Sequence, residues 1–178
     1  MKHLKILGGL LIAYTLNSCS IFSEAEPTEL PPATQTGANT FGCLINGKVF
    51  QARGDSKYEA IDKDFNYGSV NLSAVYVKNG KIETATGLST PILNGTGSYI
   101  IEHRTGLWYG VDNLNLYGKK NKPLQSKLVV TKFERGEDKV NNLRWLIVSG
   151  TFEGIILNDN NPLDTIKITE GRFDVKFN

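Results

Sequence analysis

Cys43-Leu44-Ile45-Asn46-Gly47-Lys48-Val49-Phe50, CLINGKVF, is the stretch whose reading decides the fold. Two short apolar runs flank an Asn-Gly pair. That dipeptide suits the two positive φ angles of a type I′ turn, whose twist matches the strands it joins. The stretch predicts a tight hairpin, and tight hairpins build antiparallel sheet. Asn-Gly recurs at 79–80, between Val75-Tyr76-Val77 and Lys81-Ile82-Glu83, and again at 94–95. Upstream of the second pair, Val70, Leu72, Ala74 and Tyr76 alternate with Asn71 and Ser73, as when one face packs and the other is wet. Gln125 to Arg135 and Leu143 to Leu157 read as long strands. The run Arg144-Trp145-Leu146-Ile147-Val148 is apolar on both faces, which predicts a central strand. After residue 40 the chain carries no helical period; Tyr58 to Asp64 has room for one turn.

The carboxyl-terminal stretch makes a sharper prediction. Ile166 and Ile168 are even-numbered, whereas Phe173, Val175 and Phe177 are odd. In a regular strand these two sets face opposite ways. One extra residue restores a common face, and Glu170-Gly171 is the place for it, since glycine takes the left-handed conformation a bulge needs. Arg172, Asp174 and Lys176 then fall on the polar face.

The 138 residues from Phe41 to Asn178 suffice for one domain with its own core. About eight to ten antiparallel strands in one domain predict an all-β sandwich, with a closed lipocalin-like barrel as the alternative.

The start of the chain reads as an address. Lys2, His3 and Lys5 precede an apolar run from Ile6 to Leu16. That run is too short to cross a bilayer as a helix and has the length of a signal-peptide apolar region. Leu16-Asn17-Ser18-Cys19 resembles the lipobox of bacterial lipoproteins, in which the chain is cut before the cysteine and the cysteine is acylated. The resemblance implies a signal peptide over residues 1–18 and lipidation of Cys19. Two or more acyl chains hold a protein stably where one does so marginally. Residues 19–40, with Pro27, Pro31 and Pro32 and few large apolar groups, read as a flexible tether. Glu24, Glu26 and Glu29 loosely resemble the acids that route some lipoproteins to the cell surface. The expected location is the outer membrane, on its periplasmic face or at the surface.

Residues 1–18 hold two lysines and no acid, so the remaining chain balances 18 basic against 18 acidic residues. No clustered charge points to nucleic acid, which needs phosphate-neutralising patches. Lys119-Lys120-Asn121-Lys122 reads as a solvated turn. At LPPATQTGANTFGCLINGKVF, residues 30–50, and VSGTFEGIILNDNNPLDTIKITEGRFDVKF, residues 148–177, the chain resembles a group of Bacteroidota lipoproteins of unknown function. The resemblance implies a small all-β envelope domain and carries no activity, cofactor or functional residue with it.

Motifs for chemistry are sparse. Cys43 alternates with Phe41 and Ile45 and reads as a small core residue. With Cys19 lipidated, Cys43 has no cysteine partner for a disulfide or a Cys-based metal site. Asp62-Lys63-Asp64-Phe65-Asn66 has a calcium-loop rhythm but lacks the glycine at position six and the glutamate at twelve; an ordinary polar loop is expected. Asn158 to Asp164 reads as the last hairpin's loop. Glu83, Glu102, Glu134 and Glu153 would serve glycoside hydrolysis only if two of them converged, and their polar neighbours favour solvated faces. A nucleophile elbow, a phosphate loop and a His-rich metal site are missing from the sequence. Trp145 and Trp108 are expected in the core. If a site is exposed instead, His103, Arg104, Trp108 and Tyr109 are the candidates, because flat rings with polar tips bind glycans and proteins at low entropy cost. The expected function is a non-enzymatic envelope domain binding a protein or glycan partner. A carrier of a small apolar ligand in a barrel is the alternative, and a hydrolase the third.

Overall fold

A computed structural model describes residues 25–102, 106–111 and 115–178. Residues 1–24, with the expected signal segment and Cys19, lie outside the described residues, as do His103 and Arg104. Eleven strands follow in chain order: β1 (Thr40–Ile45), β2 (Lys48–Gln51), β3 (Ile61–Asn66), β4 (Ser69–Lys78), β5 (Lys81–Ser89), β6 (Gly97–Tyr99), β7 (Leu107–Val111), β8 (Asn115–Tyr117), β9 (Gln125–Asp138), β10 (Leu143–Leu157) and β11 (Thr165–Phe177). That is one more than the expected eight to ten; β6 and β8, three residues each, are too short to show a period. One sheet, sheet A, runs β2-β1-β11-β10-β9-β6; the other, sheet B, runs β3-β4-β5-β7-β8. All strand pairings are antiparallel. The protein is an all-β sandwich.

The Asn-Gly pairs at 46–47 and 79–80 both turn hairpins, with φ of 49° and 81° in the first and 51° and 72° in the second. A third turn of this kind, joining β3 to β4, is built on Tyr67 and Gly68 at φ 50° and 86°. Asp62 to Asn66, expected as a loop, is the edge strand β3, so Asp62 and Asp64 alternate with Lys63 and Phe65 instead of converging. The long strands β9 and β10 span the expected ranges, and β10 lies between β11 and β9 as its two apolar faces require.

The carboxyl-terminal irregularity is present. Gly171 faces Phe152 while Ile168 faces Gly154, so β11 holds one residue more than β10 across this step. Glu170 takes the left-handed conformation, at φ 52°. Gly171 is required for space: a Cβ there would lie 2.5 Å from the Phe152 carbonyl oxygen and 2.6 Å from its ring. Ile166, Ile168, Phe173 and Val175 consequently all enter the core.

That core fills the space between the sheets. Phe41, Phe152 and Phe173 stack in sequence, with ring centroids 5.1 Å and 6.4 Å apart, and Cys43 is fully buried beside them. Burial pushes the Cys43 thiol up to about 12, which keeps it protonated and inert. The sheets touch through hydrogen bonds at two corners. Arg53 N–H donates to the Val75 carbonyl, and Gly118 N–H to that of Leu157. The ladders do not continue from these corners, so the sheets do not close into the alternative barrel.

The segment expected to be tether through residue 40 is docked in its second half. Pro31 is buried, and it sits where a Cβ on Gly42 would be, at 2.5 Å. Beyond it the backbone wraps Asp174. Thr34 Oγ1 donates to Oδ2 at 2.6 Å, Thr36 and Ala38 N–H donate to the same oxygen, Gly37 N–H donates to Oδ1 at 2.8 Å, and Ser149 Oγ donates to Oδ1 at 2.6 Å. Asp174 is on the outward face of β11, as its parity requires, yet it is 1% exposed. Composition underrates this segment because its order comes from donors gathered on one carboxylate, not from apolar area. Burial by itself raises the Asp174 pKa, but the Ser149, Thr34, Ala38 and Thr36 hydrogen bonds outweigh it and bring the value to about 2.

Candidate functional site

A cleft of about 490 Å³ opens at the end of the sandwich where β11 and the β9–β10 hairpin meet β3. Register explains its lining. Lys63 and Phe65 lie opposite Leu72 and Val70, and so face inward from sheet B. Arg135 and Phe177 both lie opposite Leu146, and so face inward from sheet A. Arg144 shares the parity of Leu146, one step nearer the mouth. Phe65 packs between Phe133 and Phe177, with centroids 6.4 Å and 5.9 Å away. The Arg135 guanidinium caps this aromatic cluster, 5.7 Å from the Phe65 centroid and 5.5 Å from that of Phe133. Arginine suits this place because its planar cation stacks on rings and is weakly hydrated.

Trp145 forms the outer lip. It lies across Gly136, its cross-strand partner on β9, where a Cβ would be 2.1 Å from the indole. The Lys176 ammonium is 5.7 Å from a Trp145 ring centroid. Asn39 ties the two sheets together here: its side-chain oxygen accepts from the Lys63 ammonium and from Lys176 N–H. Burial lowers the Lys63 pKa, with the Glu59 charge acting in the opposite sense. The cleft therefore has an aromatic floor and lip, with Lys63, Arg135 and Arg144 and the Asp64 carboxylate around its mouth. Such a surface holds a flat ring by its face and an anionic group by guanidinium forks.

Of the sequence candidates, the structure describes Trp108 and Tyr109, while His103 and Arg104 lie outside the described residues. Trp108 and Tyr109 are neighbours on β7 and face opposite ways. Tyr109 packs against the core and Tyr117, while Trp108 lies outside across Gly87. Neither tryptophan fills the core, because each covers a glycine on the outer face of its sheet, a use of aromatics that replaces missing side-chain contact. Among the four carboxylates, Glu102, Glu134 and Glu153 are exposed. Glu134 lies opposite Ile147 and pairs with Lys132, whereas Glu153 lies far along the same ladder, opposite Lys127. The 158–164 stretch is the β10–β11 loop, where Asp164 accepts from Tyr117 Oη at 2.7 Å and from Asn158 Nδ2 at 3.0 Å. Among the described residues no group of three His, Cys, Asp or Glu side chains could hold a metal ion.

Sequence reasoning missed the end cleft because Lys63 lies far along the chain from Arg135 and Arg144, on the other sheet. One signal was present: Gly136 interrupts a strand pattern, and a strand glycine marks close approach by another group. Comparisons with protein-family models, with curated proteins and with solved structures find no match to this chain.

Proposed function

We propose that this chain is a non-enzymatic binding domain of a bacterial outer membrane, anchored through acyl chains on Cys19, and that the end cleft engages a glycan or protein partner bearing negative charge. The observation that carries the reading is the placement of Trp145 and Phe65 beside Arg135 and Arg144 in one open recess. Rings supply contact area at low entropy cost, and the guanidinium groups select for acidic groups on the partner. The stretch between Cys19 and the first docked residues, Glu26 and Pro27, supports the anchored part of the reading as a short spacer between lipid and domain.

The test is site-specific photo-crosslinking from position 143, beside the cleft, on the anchored protein in intact cells. One stoichiometric partner is expected. Trp145→Ala and Arg135→Ala should each lower its capture at least tenfold while leaving the β-sheet circular dichroism unchanged. Undiminished capture by both folded variants refutes the cleft as the site. A Cys19→Ser protein that stays with the membrane refutes the anchor.

A further inference from the structure

A second recess lies at the other end of the strands, near the turns that join β1 to β2 and β4 to β5. Its volume is about 190 Å³. Ile45, Val49 and Phe50 line it from sheet A, Tyr76 and Tyr109 from sheet B. Glu26 and Pro27 form an outer wall, held by an ion pair of 3.2 Å between Glu26 and Lys78. Tyr76 is 6% exposed, and its hydroxyl is buried with no hydrogen-bond partner among the described residues.

That hydroxyl is out of place in a folded protein, where buried polar atoms are almost always paired. Val70, Leu72 and Ala74, the other inward residues of β4, are apolar, and phenylalanine would fill the Tyr76 position without leaving a donor unmet. We infer that this recess is a binding site for a small, uncharged, largely apolar molecule carrying one hydrogen-bond acceptor, which takes the Tyr76 proton. The volume is below the roughly 300–1,000 Å³ of pockets for drug-sized ligands, so the occupant is a single ring or a short chain. The rim carries Glu26, paired with Lys78, and Glu83 against Lys48, so its charges balance and favour no one sign of ligand charge. The acceptor reaches the hydroxyl by displacing Glu26 and Pro27, and a solvent-exposed ion pair holds such a wall only weakly. This site is separate from the end cleft and stands or falls independently of it.

The test compares 4-fluoroacetophenone with 4-fluoroethylbenzene on the full chain by ligand-observed fluorine NMR. The two probes match in shape, and only the ketone offers a strong acceptor. The ketone should bind at least tenfold more tightly. Tyr76→Phe should abolish that preference, leave binding of the hydrocarbon unchanged and not lower the urea midpoint. Thr84→Trp, which enters the recess from the position directly opposite Tyr76, should displace both probes. Equal binding of the two probes, no binding at millimolar concentration, or a preference that survives Tyr76→Phe overturns the inference. So does a Tyr76→Phe protein that loses stability, because the hydroxyl would then already have a partner.

Discussion

Trp108 and Trp145 occupy equivalent positions on opposite sheets. Each lies outward across a cross-strand glycine, Gly87 or Gly136, and each has a lysine ammonium over its rings, from Lys119 at 4.4 Å or Lys176 at 5.7 Å. Their surroundings differ. Next to Trp145 the outer face of sheet A is roofed by residues 34–38, held on Asp174, and Gly37 packs onto Ile147 and Lys176. Trp145 therefore stands between a fixed roof and an open cleft. Among the described residues Trp108 has neither neighbour. The same local device repairs a glycine on one sheet and builds the lip of a site on the other, and the amino-terminal segment makes the difference.

Removing the roof breaks the comparison most strongly. Asp174→Asn replaces an acceptor oxygen with a donor that faces only donors, at a cost of about 3 kcal/mol, because hydrogen bonds to a buried charge are the strong ones. A urea melt measures the loss, and limited proteolysis between residues 32 and 38 should accelerate. In a Trp108→Phe background the Trp145 emission should change on the same substitution, whereas in Trp145→Phe the Trp108 emission should not.

Acid should do the same reversibly. The folded pKa of Asp174, about 2, lies below its ordinary value of 3.8. The stabilisation is therefore complete above pH 3.8 and is lost as the pH falls through 2, and it amounts to about 2 kcal/mol. Thermal melts between pH 4.5 and 2 measure it, and Asp174→Asn should flatten that part of the profile. Asp164 provides the contrast. Hydrogen bonds from Tyr117 and Asn158 depress its pKa too, but it sits in an exposed loop where such interactions are screened. Asp164→Asn should leave the profile below pH 4 almost unchanged.

The glycines sharpen the comparison further. A Cβ on Gly87 would meet the Trp108 indole at 2.1 Å and the Leu72 carbonyl oxygen at 2.6 Å, whereas the three atoms nearest one on Gly136 all belong to the Trp145 side chain. Gly87→Ala should cost about 2–3 kcal/mol, since backbone has to move. Gly136→Ala should cost about 1 kcal/mol, since a side chain at an open edge can swing aside. Gly136→Ala should nonetheless weaken partner capture at the cleft, whereas Gly87→Ala should not.

Much of the fold could be read from local pattern. The two Asn-Gly hairpins, the alternation in β4 and the parity change in β11 are properties of a few consecutive residues. The Tyr67-Gly68 turn escaped because tyrosine rarely accepts a positive φ. Strand β3 escaped because two aspartates in alternation look like a loop until Val70 and Leu72 are known to lie opposite. The tryptophans were misassigned to the core for a similar reason. Burial was inferred from the size and apolarity of the indole, whereas its place was decided by which residue sat across the ladder. The site was less legible still, since its cations come from β3, β9 and β10.

By itself, the order of residues determined strands, turns, the extra residue in β11 and the all-β class. These follow from φ preferences and from a side-chain period of two, which act over distances of a few residues. Only the tertiary structure decided that Asp174 binds the amino-terminal segment, that Trp145 borders a cleft, and that the sheets meet at two corners without closing. These depend on how segments distant in the chain are brought into register, from Arg53 with Val75 to Thr34 with Asp174, where a shift of one position would turn every side chain to the other face.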